Sequence, residues 1–299
     1  MAANMHIVIP WLRSVLRLPK RPKGQKLDLS KFELTWSDEF DGGSLDCEKW
    51  GLFQNQHQHW SLDLARVEDG KLHISTKHSE EGMRRHFPED HSVFFDTLPP
   101  GYTAYPEGGY VHCPPGWYSL GLCTRHSFRQ KFGYFEVRCK LPRGYGLNTA
   151  FWMMNDEVKD GSAGRDGTEI DIFEYPYYRK RLPPLRHMVS TNLHYGGYGK
   201  AWRMQNVGNF RVKAPYDRFH TYGLEWNENE YIFYIDGVES GRSSFGGVCQ
   251  KELYIHISVE KKTKGYARWF WEGNIHRNRP GDITDYVLDY VRAYQKSKK

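Results

Sequence analysis

The run Tyr134-Phe135-Glu136-Val137-Arg138-Cys139-Lys140-Leu141 alternates apolar and polar side chains, the period of a strand with one buried face. Glu230-Tyr231-Ile232-Phe233-Tyr234-Ile235 has the same character and runs into Asp236-Gly237, a strong hairpin-turn signal. After residue 20 no long helical period stands out, and 29 Gly and 15 Pro cut the chain into short runs. Many short strands with such punctuation predict an all-β sandwich. A hydrophobic content of 39% is enough for a sandwich whose outer faces are wet. The 299 residues can hold one large β domain or two smaller ones. No repeat, low-complexity block or Ser/Pro linker divides them, so a single domain over 32–299 is expected.

One strand-like run breaks the pattern. Glu169-Ile170-Asp171-Ile172-Phe173-Glu174 sets three carboxylates inside an apolar, β-prone stretch. A helix would put Asp171 and Glu174 one turn apart, but Ile170, Ile172, Phe173 and Tyr175 favour a strand and Pro176 limits any continuation. In a strand Glu169 and Asp171 share a face, and Glu174 falls out of phase. One extra residue near Ile172 or Phe173, a β-bulge, brings it back. Glu169 and Glu174 are then two same-face steps apart, about 13 Å between Cα atoms. Side chains leaning inward can close that to roughly 5–5.5 Å between carboxyls, the separation of a retaining glycosidase. Clustered carboxylates repel and carry perturbed pKa values, the equipment of acid–base and nucleophilic work. A solvated edge strand with acidic gatekeepers is the bland alternative.

The run resembles the bulged E-x-D-x-x-E signature of glycoside hydrolase family 16, which includes laminarinases, lichenases, agarases, carrageenases and xyloglucan transglycosylases. Other stretches resemble the family in order. These are Leu34–Gly42 at the opening strand, Val67–Ile74 at a hairpin, and Phe132–Pro142 and Gly146–Met154 ahead of the acids. Phe219–Trp226, Ile232–Gly237 and Asp289–Gln295 follow them. The resemblance implies a β-jelly roll of two curved antiparallel sheets, the concave one forming a cleft. It implies Glu169 as nucleophile, Asp171 as assisting carboxylate and Glu174 as general acid/base. The expected activity is retaining, endo-acting hydrolysis of a polysaccharide, foremost a β-1,3- or mixed-linkage β-glucan. Transglycosylation, action on a sulfated galactan or bacterial exopolysaccharide, and a non-catalytic jelly-roll lectin are the alternatives. No catalytic cofactor is expected. Relatives often bind a structural calcium near the opening and closing strands, where Asp289 lies.

Sugar rings stack on aromatic faces, and aromatics make up 15% of this chain. Trp152 is a candidate for the cleft, with the core as its alternative, and Trp60 and Asn55 are candidates for contacts beside it. His194 resembles a cleft-facing histidine, with a backbone-bonded structural role as its alternative; Trp202 and Trp226 are further candidates. The insertion Glu80–Tyr118, rich in Pro, Gly, His and Tyr, reads as a long functional loop. Leu253–Glu260 and the following Lys261–Trp271 depart from the family's usual pattern and leave the substrate open.

Charge and cysteine usage add little. Five cysteines leave at least one unpaired and do not suggest a disulfide scaffold. His57 and His59 share a face if extended, but no third ligand accompanies them, so a polar cleft wall is favoured over a metal site. Residues 1–31 read as a flexible basic extension; the apolar run Ile7–Leu12 is too short to span a membrane and precedes the positive charges instead of following them. The net charge of +6 gathers in that segment, in Arg179–Arg186 and in Lys251–Lys264, with no nucleic-acid module beside it. A monomer is expected, and the substrate class favours an extracellular or periplasmic location although no signal peptide is recognisable.

Overall fold

The computed structural model describes residues 19–53, 61–86, 103–104, 110–176, 187–261 and 274–297. In chain order the early strands are β1 (Phe32–Asp38), β2 (Gly51–Leu52), β3 (Ala65–Glu68), β4 (Lys71–Ile74), β5 (Lys77–Ser79) and β6 (Met83–His86). Next come β7 (Thr103–Ala104), β8 (Tyr110–Cys113), β9 (Gly116–Tyr118), β10 (Gly121–Cys123), β11 (Gly133–Lys140), β12 (Leu147–Met154) and β13 (Glu169–Pro176). The last are β14 (Met188–Tyr195), β15 (Arg203–Arg211), β16 (His220–Trp226), β17 (Tyr231–Ile235), β18 (Val238–Ser243), β19 (Tyr254–Lys261) and β20 (Tyr286–Lys296). Among the described residues the only helices are short 3-10 turns, and none is long and apolar enough to cross a membrane.

Two antiparallel sheets form the sandwich. One runs β18-β17-β16-β11-β20-β4-β3, with β1 also on β20; the other runs β15-β14-β13-β12-β19-β10-β2. The opening and closing strands are therefore hydrogen-bonded neighbours, Leu34 opposite Tyr294. The alternation of β11 works as predicted: Phe135, Val137 and Cys139 enter the core between the sheets. From the facing sheet Phe151, Ile170, Phe173 and Ile257 meet them, and the Phe173 and Tyr222 rings lie 4.3 Å apart. Burial of such side chains is the main stabilising term, about 1.5–3 kcal/mol for each. The predicted Asp236-Gly237 turn joins β17 to β18 with both φ angles positive (51° and 69°), and Asp69-Gly70 joins β3 to β4 in the same way. Two consecutive left-handed residues give the turn twist that matches paired strands, which is why Asp-Gly occupies both.

Two segments differ from the sequence expectation. The insertion at 80–118 is structured where it is described: β6 and β7 flank β8, and β5 pairs with β9. Met83, Val111 and Cys113 lie in the main core, so this part is packed scaffold rather than free loop. The end of the N-terminal extension is also tied down. Lys20 exchanges backbone hydrogen bonds with β15 through Asn209 and Arg211, and Gly24, Gln25 and Leu27 bond to Glu239 and Gly237 at β18. Residues 20–27 thus bond along one edge strand of each sheet, β15 and β18, places where strands otherwise pair with foreign chains. Leu27 and Phe32 also pack on Tyr134, Ile232, Tyr234 and Tyr294, so this outer face is not simply wet. All five cysteines are free, and only Cys47 is exposed.

Candidate active site

The three carboxylates lie on β13, near the middle of the second sheet. Opposite β12, Phe151 pairs with Phe173 and Trp152 with Asp171, so Ile172 has no partner of its own. Opposite β14, Asp171 pairs with Asn192 and Glu174 with Ser190: three steps on one strand face two on the other. This is the bulge that the spacing of the acids required. Ile170, Ile172, Phe173 and Tyr175 all enter the core, and Glu174 returns to the face of Glu169 and Asp171. Glu169 pairs with His194 and Glu174 with Ser190, four residues apart on β14, which confirms two same-face steps.

Each acid has its own partners. Glu174 accepts from two side-chain amides, Asn148 Nδ2 to Oε1 at 2.9 Å and Asn192 Nδ2 to Oε2 at 2.6 Å. Asn206 donates to Asn192 Oδ1 at 2.9 Å, which fixes the amide end that faces Glu174. Asp171 is 4% exposed and meets His194 Nε2 at 3.0 Å. The same nitrogen lies 3.6 Å from Glu169 Oε1, and the Tyr198 hydroxyl donates to Glu169 Oε2. Trp202 Nε1 donates to His194 Nδ1 at 3.1 Å. Glu169, Asp171 and His194 each present a ligand-type atom within 4.8 Å of the others, but His194 is already hydrogen-bonded to Asp171 and Glu169 to Tyr198, and we assign no ion to them.

Electrostatics follow from this crowding. Burial and then the charge of Asp171 push Glu169 well above the usual carboxylate range. The same two causes raise Glu174 to about 7, against the opposing Asn148 hydrogen bond. Glu260 on β19 adds to both. Burial would lower His194, but the hydrogen bond and charge of Asp171, then Glu169 and Glu174, raise it to about 9. Such a site holds protons at neutral pH, and two carboxyls of raised affinity on one face can divide the roles of nucleophile and proton donor.

The other expected residues sort clearly. Trp152 is on the cleft side of its sheet, in a small cluster with Cys123, Ala150, Met154, Val158 and Tyr254. It is 7% exposed, its N–H goes to Ser258 Oγ at 3.1 Å, and it stacks on His256 at 3.9 Å. It is therefore a largely buried side chain on the same face of the sheet as the acids. His194 bonds to the acids and to Trp202 and so occupies the site itself. Trp202 is 42% exposed beside it. Trp226 is corrected: it continues the inward phase of Tyr222 and Leu224 on β16 and packs in the core against Phe132 at 5.2 Å. Asn55, Trp60, His57 and His59 lie outside the described residues. Asp289, which lies where relatives often bind calcium, is ion-paired with Arg138.

Sequence reasoning missed Asn148, Asn192, Tyr198 and the β19 row His256, Ser258 and Glu260. Asn148 is two same-face steps from Trp152, and Asn192 is one from His194, so strand phase alone flags both. Tyr198 lies in a Gly-rich turn with no period to betray it. His256 is fully buried, its ring nitrogens have no hydrogen-bond partner among the described residues, and burial holds it neutral, with a pKa far below the ordinary histidine value.

The comparisons agree with this geometry. A family model described as glycosyl hydrolases family 16 matches residues 54–286. A β-glucanase from Rhodothermus marinus is 30% identical, over 88% of this chain and 85% of its own length. Glucan endo-1,3-β-glucosidase A1 from Niallia circulans is 26% identical over 90% of this chain, which spans only 38% of that protein. The laminarinase catalytic domain of Thermotoga maritima superimposes with a TM-score of 0.63 at 20% identity, over 90% of this chain and all of that one. At that identity the match shows the fold, a β-jelly-roll sandwich.

Proposed function

The chain belongs to glycosyl hydrolases family 16, and from that premise we propose that it is a retaining, endo-acting β-glycanase whose substrate is a β-1,3- or mixed-linkage β-glucan. The observation that carries the chemistry is the bulged strand, which turns Glu169, Asp171 and Glu174 to one face. The names of the relatives support the glucan.

In this reading Glu169 is the nucleophile. The Tyr198 hydroxyl donates to it and His194 Nε2 lies 3.6 Å away, and both oppose the burial and the Asp171 charge that raise it; in this reading the proton is carried by Glu174. Glu174, raised to about 7, is suited to give and retake a proton near neutral pH. In the first step a Glu169 oxygen bonds to the anomeric carbon, the glycosidic C–O bond breaks, and the Glu174 proton goes to the departing oxygen. In the second, water attacks the anomeric carbon, its proton returns to Glu174, and Glu169 is released as carboxylate. Asp171 lies between the two and raises both. This double displacement needs no metal or organic cofactor.

The test is Glu169→Gln with a glycan screen covering laminarin, lichenan, agarose, porphyran, carrageenan and xyloglucan, with product sizing. Wild type should release shorter oligosaccharides from laminarin or lichenan, with the β-anomer appearing first by NMR. The variant should lose about 10³-fold or more in kcat while keeping its fold. Wild-type-like turnover in Glu169→Gln, or first appearance of the α-anomer, overturns the assignment.

A further inference from the structure

His194 receives two contradictory instructions. Its Nδ1 lies 3.1 Å from Trp202 Nε1, and its Nε2 lies 3.0 Å from Asp171 Oδ2. An indole N–H can only donate, and an ionised carboxylate can only accept. Nδ1 must therefore be the acceptor and Nε2 must carry the proton, which makes the ring neutral. The ring planes are 28° apart with centroids 5.7 Å apart, close enough for the indole N–H to reach Nδ1. The carboxylates pull the other way and, set against burial alone without the indole bond, would lift His194 to about 9. An imidazolium carries a hydrogen on both nitrogens and cannot accept from Trp202. Neutral histidine with the indole bond and cationic histidine without it are mutually exclusive states.

The turn that carries Trp202 is built to hold it. Gly196 N–H donates to Gly164 O at 2.9 Å, Gly197 N–H to Gly167 O at 3.0 Å, and Tyr198 N–H to Val158 O. Arg203 Nη1 donates to the carbonyls of Trp202 at 2.8 Å and Lys200 at 3.2 Å. The Tyr198 hydroxyl fastens the same turn to Glu169. The backbone of Trp202 is thus anchored although its ring is partly in solvent.

We propose that Trp202 is a positioning residue that locks His194 in the neutral Nε2–H tautomer and thereby keeps the proton on Glu174. The proposal rests on the acid/base reading of Glu174. A cation at His194 lowers the proton affinity of both Glu169 and Glu174. With the indole bond in place, Glu174 keeps its raised affinity and arrives protonated at the glycosidic oxygen. Among the described residues the charged groups that act on His194 are Glu169, Asp171 and Glu174 on β13, and Lys200 and Arg203 belong to its own hairpin. Its β15 partner Met204, and Met154 opposite Glu169 on β12, carry no charge. Arg203 does not replace the cation the lock withholds, because its guanidinium is turned to backbone carbonyls.

The experiment uses Trp202→Phe, which keeps an aromatic ring at a partly exposed position and removes the N–H donor together with the five-membered ring. Histidine ¹⁵N NMR across pH 5–9 should show His194 as the neutral Nε2–H tautomer in wild type at pH 7, and as imidazolium in the variant. The alkaline limb of kcat/KM should fall by about one pH unit in the variant, the effect expected of one nearby positive charge. In a His194→Gln background, followed through its residual activity, Trp202→Phe should move the limb no further. An imidazolium in wild type, a neutral ring in both proteins, or an unmoved limb in Trp202→Phe overturns the lock. If no glycan is cleaved at all, the acid/base reading of Glu174 fails, while the NMR result still decides the tautomer.

Discussion

Replacing Asn148 by Leu should move the alkaline limb of the reaction upward. Asn148 Nδ2 donates to Glu174 Oε1 at 2.9 Å, and this bond opposes the burial and the Asp171 charge that raise Glu174 to about 7. A hydrogen bond to a charged group contributes about 1.5–3 kcal/mol. Glu174 keeps some solvent access and a second amide from Asn192, so about 1–1.5 kcal/mol is a fair loss, or about one pKa unit. The sign follows from the state that the bond favours. An amide N–H stabilises the carboxylate, so its removal favours the acid, and Glu174 should titrate near about 8. At pH 8 the protonated fraction then rises from about a tenth to about a half, a roughly fivefold gain relative to each protein's own plateau. The assay is initial rate against pH from 5 to 10 on laminarin or lichenan below KM. Wild type should give a bell set by the Glu169/Glu174 pair, and the variant the same bell with its alkaline side displaced. An unmoved limb in a folded variant, or one displaced to lower pH, refutes the reasoning.

Two further outcomes test the site's cost and its scaffold. Glu169→Gln should raise the melting temperature at pH 7 by about 3 °C or more while abolishing turnover. A carboxyl whose folded-state pKa is raised binds protons preferentially in the folded state. Its penalty is absent below the unfolded value near about 4.3, grows as pH rises, and is complete above the folded value. Differential scanning calorimetry should therefore show the gain shrinking toward pH 4, and a constant difference would count against this origin. Gly197→Ala should cost about 1–3 kcal/mol in stability and reduce kcat, because a Cβ at φ +65° would lie 2.4 Å from Asp160 O and pull Tyr198 off Glu169. Gly199→Ala, with nothing within 4 Å of its Cβ, is the control; equal effects from the two would show that the turn does not position Tyr198.

Much of this was legible where a strict period ruled. The alternation of β11 named its core side chains, the Asp236-Gly237 pair named its turn, and the spacing of the acids demanded the bulge that the register shows. Asn148 and Asn192 were within reach of the same phase argument, since each shares a face with a residue already under suspicion. Trp226 misled because a lone Trp looks alike in a core and in a cleft, and only the inward phase of Tyr222 and Leu224 decides between them. Tyr198 and the β19 row could not be read. Tyr198 reaches Glu169 only because its turn is hydrogen-bonded to Val158, Gly164 and Gly167, and β19 faces the cleft only because β12 and β10 flank it. Those are contacts between segments far apart in the chain, which no local pattern encodes.

The bulge carries a lesson about counting. Ile172 and Phe173 both point into the core, one after the other, between two cleft-facing acids. Without Ile172 the strand would read Ile170 in, Asp171 out, Phe173 in, Glu174 out and Tyr175 in, an unbroken alternation. A one-residue deletion in the middle of the candidate catalytic strand should therefore keep all three carboxylates facing the same way, whereas a deletion at Ile170 would turn Glu169 away from the other two. The number of residues between the second and third acids is thus a poor ruler for their geometry. Two chains that differ there by one residue can present the same constellation, and an ungapped comparison between them would set an acid against an apolar side chain and miss the equivalence.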